Sequence, residues 1–246
     1  MGEIESYLER VRAILREAEK TQGAVMEKAA QVLAAAIVEK HSIWTFGTGH
    51  AGILAMELYY RTGGLAVINY LPAPGLVMDV MPPTLTTSME RLSGYGRALI
   101  AAHPVKAGDV MILHSVSGRN AVPIDAAIYA REASLFTICL SNLKTSASVP
   151  SRHESGKRLY EVCDLVIDNC GSYGDAELDL PGFPERIAPT STVVGAALLN
   201  AVVARTVALI LEMGVTPPVF VSSNVPGGDE HNARIMEEHD DQIHYM

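Results

Sequence analysis

"DVMILHSVSGRNAVPIDAAIYAREA", residues 109–133, decides the fold. An almost unbroken apolar run, Val110–Leu113, ends in a cluster of small polar residues, Ser115 to Asn120. A stretch with helical spacing follows. A strand that is apolar on both faces belongs to a sheet covered on both sides, and such sheets are parallel. The same strand–loop–helix order appears upstream, where "HSIWTFG" (41–47) leads through a Gly-rich loop into "AGILAMELYYRTGG" (51–64), a helix ended by two glycines. Downstream, "LFTICLS" (135–141) and "DLVID" (164–168) read as further strands, and "LAVIN" (65–69) as a short one. Strands alternating with helices predict one α/β domain with a parallel sheet. In such sheets ligands bind at the carboxyl ends of the strands, where the strand order reverses.

The rest of the chain fits around that frame. Residues 3–40 lack Pro and carry one Gly, and their apolar residues recur at helical spacing, so two helices, or one interrupted near Thr21–Gly23, are expected. The Pro-rich stretch 70–87 reads as a long functional loop. "SMERLSGYGRALIAAH" (88–103) reads as a helix weakened by two glycines, and 142–163 as a polar connection. Residues 190–214 are apolar nearly all round and predict a buried helix. A strand-like "VFVSSN" (219–224) and a polar helix from about Asp229 follow.

Composition excludes several classes. At 246 residues and 48% hydrophobic, the chain can bury one sizeable core. A formal charge of −9 argues against nucleic acid as partner. It leaves room for an anionic small molecule held locally by N–H and hydroxyl groups. The three cysteines, 139, 163 and 170, have no metal-ligand spacing and read as buried free thiols of a reducing compartment. "MGEIESYLER" lacks the pattern of a signal peptide, and no apolar run of about 18 residues is present. A cytoplasmic protein without membrane partner, metal or cofactor is the expectation.

Three loops carry candidate chemistry. Gly47-x-Gly49-x-x-Gly52, with His50 inside it, matches the dinucleotide fingerprint, but the acidic residue due at the end of the second strand is replaced by Asn69. In the second loop Ser115, Ser117, Gly118 and Asn120 gather short donors, and Asn120 stands where it can cap the following helix. That arrangement suits an anion, yet it is also how an ordinary Ser turn and helix cap would look. In the third, Thr190, Ser191 and Thr192 precede the buried helix, more hydroxyls than a cap needs. The titratable residues nearby are Glu57, four residues before Arg61, and His50, His153 and His231.

Taken together, these loops resemble those of sugar isomerase (SIS) domains. The Ser115-x-Ser117-Gly118-x-Asn120 element is the most specific part, with Asn in place of Thr. "GTGHAG" (47–52), "MELYYRTGGLA" (56–66), "SRHESGKRLYEVCDLVIDNCG" (151–171), "PTSTVVGAALLNA" (189–201) and "DEHN" (229–232) are similar to the bacterial UPF0309 subgroup of phosphosugar-binding SIS proteins. The resemblance implies a three-layer αβα sandwich with a five-stranded parallel sheet at 41–246. It also implies N-terminal helices (1–40) that assemble a homodimer or homotetramer. The phosphate of a phosphorylated sugar would then lie on Ser115, Ser117 and Asn120. The first loop has Ala51 where the family carries a Ser. Phosphoheptose isomerase and N-acetylmuramic acid 6-phosphate etherase place a catalytic Glu late on the helix after that loop. Counting gives Arg61 there and Glu57 one turn earlier, so Glu57 is the expected base. His231, contributed across a subunit boundary, or His153 would open the ring or shuttle the proton. The implied reaction is an aldose–ketose isomerisation or epimerisation. A lyase or deaminase acting on an amino-sugar phosphate, and a phosphosugar sensor without catalysis, are the alternatives.

Overall fold

The computed structural model describes residues 2–246. A five-stranded parallel sheet is formed by β1 (Ile43–Gly47), β2 (Ile68–Tyr70), β3 (Val110–His114), β4 (Phe136–Ser141) and β5 (Leu165–Asp168), in the order β2-β1-β3-β4-β5. Helices cover both faces. One face carries α1 (Glu3–Val38), α2 (His50–Glu57) and α7 (Ser191–Glu212). The other carries α4 (Tyr95–Ala101) and α5 (Ala121–Glu132). Short helices α3 (Thr84–Met89) and α6 (Leu143–Ala147) flank the strand ends, and α8 (Gly228–Glu238) follows α7.

The strands read as continuous apolar runs because each feeds two cores. In β1, Ile43 packs with the α1/α7 layer, whereas Trp44 and Phe46 pack with the α5 layer. All five residues of β1 and of β3 are buried. The chain leaves β1 toward β2 on one side and β3 toward β4 on the other, so the order reverses between β1 and β3. Gly47 pairs in register with His114, which sets the loops after these two strands side by side.

Several local expectations change. Residues 3–38 form one helix, without a break at Gly23. The exposed glycine costs a helix only about 1 kcal/mol, and the packing of Ala29, Ala30, Leu33 and Ile37 against the core outweighs it. Helix α2 stops at Glu57, well before the two glycines. The second strand begins at Ile68 and reaches Tyr70. The segment 88–103 divides at Gly94, whose φ of +79° starts α4 as a separate helix. The stretch 219–224 forms no strand; Val219 makes one isolated bridge with Leu65. Cys139 is buried, while Cys163 and Cys170 are half-buried; all three are free.

Helix α7 is long and apolar enough to cross a membrane by length and composition, with mean hydropathy 2.0. Half of that window is buried against α1, α2 and the sheet, as in a core helix. Residues 242–245 pack over β2. Asn69 donates to the carbonyls of Ile43, Val67 and Gln242 and accepts from the His244 N–H. The side chain that replaced the fingerprint acid is therefore buried and fully engaged in the fold.

Candidate functional site

A cleft of about 480 Å³ opens over the carboxyl ends of β1 and β3. Thr48, Gly49 and His50 line it from the first loop, Ser115 and Ser117 from the second, and Glu90 from the end of α3. Sterics fix both loops. A Cβ on Gly47 would lie 2.5 Å from the Ala51 carbonyl oxygen, so only glycine allows the strand to turn this tightly into α2. Gly118 has φ +56°, and a Cβ there would come within 2.9 Å of Ser146 Oγ.

The serine loop is built for donation. Ser115 Oγ accepts the Gly118 N–H at 3.1 Å, which leaves its own hydroxyl proton free to point elsewhere. Ser117 lines the cleft two residues on. Thr145, on α6, adds a third hydroxyl from the wall; its Oγ1 is buried and has no partner. Asn142 caps α6 by accepting the Thr145 N–H at 2.7 Å, which fixes that hydroxyl's approach.

Asn120 does not act as expected. Its side chain makes no capping bond to α5. Instead Nδ2 donates to Glu90 Oε2 at 2.8 Å, and Oδ1 accepts from Arg152 at 2.9 Å. Glu90 performs the cap: its backbone carbonyl accepts the Val122 N–H at 3.1 Å. Pro123 has no N–H to offer. The start of α5 thus presents less positive potential to an anion than its sequence suggests.

The third loop is also occupied. Thr190 and Ser191 donate their backbone N–H groups to Asp175 Oδ1, at 3.2 and 2.9 Å. The Ser191 hydroxyl donates to Asp175 Oδ2 at 2.5 Å, and that of Thr190 to Glu177 at 3.2 Å. Thr192 is half-buried and does not line the cleft. A carboxylate, Asp175, faces the cleft where a hydroxyl-rich wall was expected. Burial alone would raise the Glu177 carboxyl, but hydrogen bonds from Arg10 and Ser172 and the Arg10 charge outweigh it and lower it. Arg10 reaches Glu177 at 2.7 Å, clamping α1 to this loop.

The expected catalytic side chains lie away from the cleft. Glu57 ends α2, about 10 Å along the helix from His50. There it pairs with Arg61 and accepts from Asn200 at 3.0 Å. His231 sits on α8, bonded through Nε2 to the Val219 carbonyl at 3.0 Å. His153 is buried beside α5. Its Nδ1 accepts the Ser155 N–H at 3.1 Å, so Nε2 donates to Asp125 Oδ1 at 2.9 Å. This pair faces a different hollow, with Gly94 and Arg97. Glu57 lies off the cleft because only the first turn of α2 lines it and Glu57 is two turns further on; His153 and His231 are held in this chain by the contacts of their own segments.

Glu90 is the residue that sequence reasoning missed. Besides holding Asn120, its Oε1 accepts the Thr48 hydroxyl at 2.6 Å, so it bridges the two loops of the switch point. It is the one acidic residue between Asp79 and Asp109, which was the available signal. Next to the loop, His114 donates Nδ1–H to the Ala51 carbonyl at 3.1 Å, and its Nε2 is buried without a partner. Burial pulls its pKa down to about 4, against small opposing contributions from that hydrogen bond and from Asp175.

The chain matches the family model described as "SIS domain" over residues 6–142. A UPF0309 protein of Shouchella clausii is 46% identical over 246 residues, covering 100% of both chains. A UPF0309 protein of Oceanobacillus iheyensis is 42% identical over 246 residues, again covering 100% of both. Phosphoheptose isomerase from Neisseria gonorrhoeae superposes with a TM-score of 0.56 at 18% identity, covering 83% of this chain and 97% of that one. At that identity the likeness is one of fold.

Proposed function

The chain belongs to the SIS-domain family, in its UPF0309 branch, and on that footing we propose that it binds a phosphorylated sugar in the cleft over β1 and β3 and moves a proton between adjacent sugar carbons. The observation that carries this reading is the convergence of the Ser115, Ser117 and Thr145 hydroxyls on one cleft wall, with Glu90 and His50 on the same cleft. The hydroxyls take the phosphate oxygens. Glu90 replaces Glu57 as the base, because its carboxylate lines the cleft and is held from both loops. In an aldose–ketose isomerisation Glu90 takes the C2 proton of the open-chain sugar and returns it to C1. His50, exposed on the cleft, moves a proton from O2 to O1, so atoms and charge balance.

The test is a thermal-shift screen of sugar phosphates, followed by NMR of the best binder in heavy water. Deuterium entering at the carbon beside the carbonyl, and absent in Glu90→Gln, is the expected result. Binding without exchange in the unmodified chain favours the second reading, a phosphosugar-binding module. That reading is supported by one observation: Glu57 and His153 both lie outside the cleft lining. Loss of an amino group or of an ether substituent from the sugar, seen in the same spectra, would instead mark a deaminase or lyase. Self-association through α1 is part of the proposal. Ile4 and Leu8 are exposed near its start, and sedimentation of the full chain against a variant with both changed to Ser tests it.

A further inference from the structure

Nine of the thirteen arginines pair with a carboxylate within 4.0 Å. Of the four that make no such pair among the described residues, three belong to the segments that meet at the Glu90–Asn120 contact. Arg119 precedes it in the chain. Arg152 donates to its Oδ1 at 2.9 Å and is tied to Arg119 by a backbone bond of 2.7 Å. Arg91 follows Glu90, whose carboxylate holds the Asn120 amide. These residues come from three separate segments: the end of α3, the serine loop and the 151–158 connection.

Like charges brought together cost free energy unless something offsets them. Arg152 shows that cost: loss of solvent, then the guanidiniums of Arg119 and Arg91, lower its pKa, and Glu90 opposes them only in part. The Arg119 Nε–H is buried and has no hydrogen-bond partner. A buried guanidinium N–H left unpaired is itself unfavourable. On a chain of net charge −9, this is a local surplus of positive charge beside a loop whose helix start is already capped. None of the three arginines lines the cleft; Arg152 is joined to it only through Asn120 and Glu90.

We propose that Arg91, Arg119 and Arg152 bind a second anionic group of the ligand, so that the substrate is doubly anionic: a sugar bisphosphate or a phosphorylated sugar acid. Guanidinium groups suit phosphate and carboxylate oxygens through paired N–H donors. The second-group assignment rests on the serine loop holding the first phosphate. The anion site itself does not.

Two titrations of the full chain test this. Inorganic pyrophosphate, followed by phosphorus NMR, probes the arginines without a sugar, and Ser117→Ala separates them from the serine loop. Saturable binding that survives Ser117→Ala and falls about tenfold in the Arg91→Gln/Arg152→Gln double variant is expected; both changed residues are exposed. No binding, or binding indifferent to the arginines, overturns the site. Calorimetry with fructose 6-phosphate and fructose 1,6-bisphosphate probes the pairing of the two sites. The bisphosphate should bind about tenfold more tightly, and the double variant should close that gap without changing the monophosphate. Equal binding of the two sugars, or a gap that persists in the double variant, overturns the doubly anionic substrate. If Ser117→Ala leaves both sugars unchanged while the pyrophosphate result holds, the serine-loop reading fails and the arginine site stands.

Discussion

Thr48 donates its hydroxyl to Glu90 Oε1 at 2.6 Å, joining the loop after β1 to the segment that caps α5. Glu90 can therefore be tested for chemistry and for structure separately. Glu90→Gln keeps the shape and a carbonyl oxygen for Thr48 but gives up the acceptor for the Asn120 amide; it should abolish proton exchange at the sugar while phosphosugar binding persists, at a smaller cost in stability than Glu90→Ala. Glu90→Ala leaves Thr48 and Asn120 without their acceptor and should cost about 2 kcal/mol of stability. Urea unfolding of both variants, beside the exchange assay, checks this. Equal destabilisation with exchange intact would remove Glu90 from the chemistry.

The serine loop makes a graded prediction. Ser117→Ala and Thr145→Val each remove one hydroxyl from the cleft wall and should weaken phosphosugar binding by about 1–3 kcal/mol each. Calorimetry reads the change. Thr145→Val should leave the stability almost untouched, since its Oγ1 has no partner to lose.

His114 gives a pH dependence of known sign. In the fold its pKa is about 4, while the unfolded side chain titrates near the ordinary 6.5. Between these values the unfolded chain binds the extra proton. The stability it contributes is whole above about pH 6.5 and is lost as pH falls toward 4. His114→Gln should therefore lose about 2 kcal/mol less than the unmodified chain between pH 7 and 4.5. Denaturant curves at the two pH values test it. His103 and His244, also lowered by burial, titrate in both proteins and cancel in the comparison.

Arg10→Met should cost about 2 kcal/mol. It leaves the buried Glu177 carboxylate without its cation, although hydrogen bonds from Ser172 remain. Thermal unfolding measures the loss, and Arg10→Lys should recover part of it.

Gly23→Ala runs the other way. The glycine is exposed mid-helix, and a Cβ there meets nothing within 4 Å. Stability should rise by about 0.5–1 kcal/mol, seen as a higher urea midpoint with an unchanged slope.

The frame of this fold was legible in the sequence because it is written in local pattern. The apolar runs of β1 and β3, the glycines after β1 and the Ser115–Gly118 turn each reflect backbone geometry within a few residues. Glu90 was not legible. It lies in a stretch punctuated by Pro and Gly, and its partners Thr48 and Asn120 are 42 and 30 residues away. The arginine cluster was hidden for the same reason: Arg91, Arg119 and Arg152 meet only through tertiary structure. The positions of Glu57 and Asn120 were misread through helix ends. Where α2 stops, and which group caps α5, depend on packing that no short window contains.

The engagement of Asn69 by residues 242–245 also sets a clock. Its carboxamide and the β2 edge must wait for a segment 173 residues further along the chain. At ordinary translation speeds that is roughly 10–35 s of synthesis during which the sheet margin has no cover. For that interval the nascent chain carries an unfinished edge, available to chaperones and to neighbouring nascent chains alike.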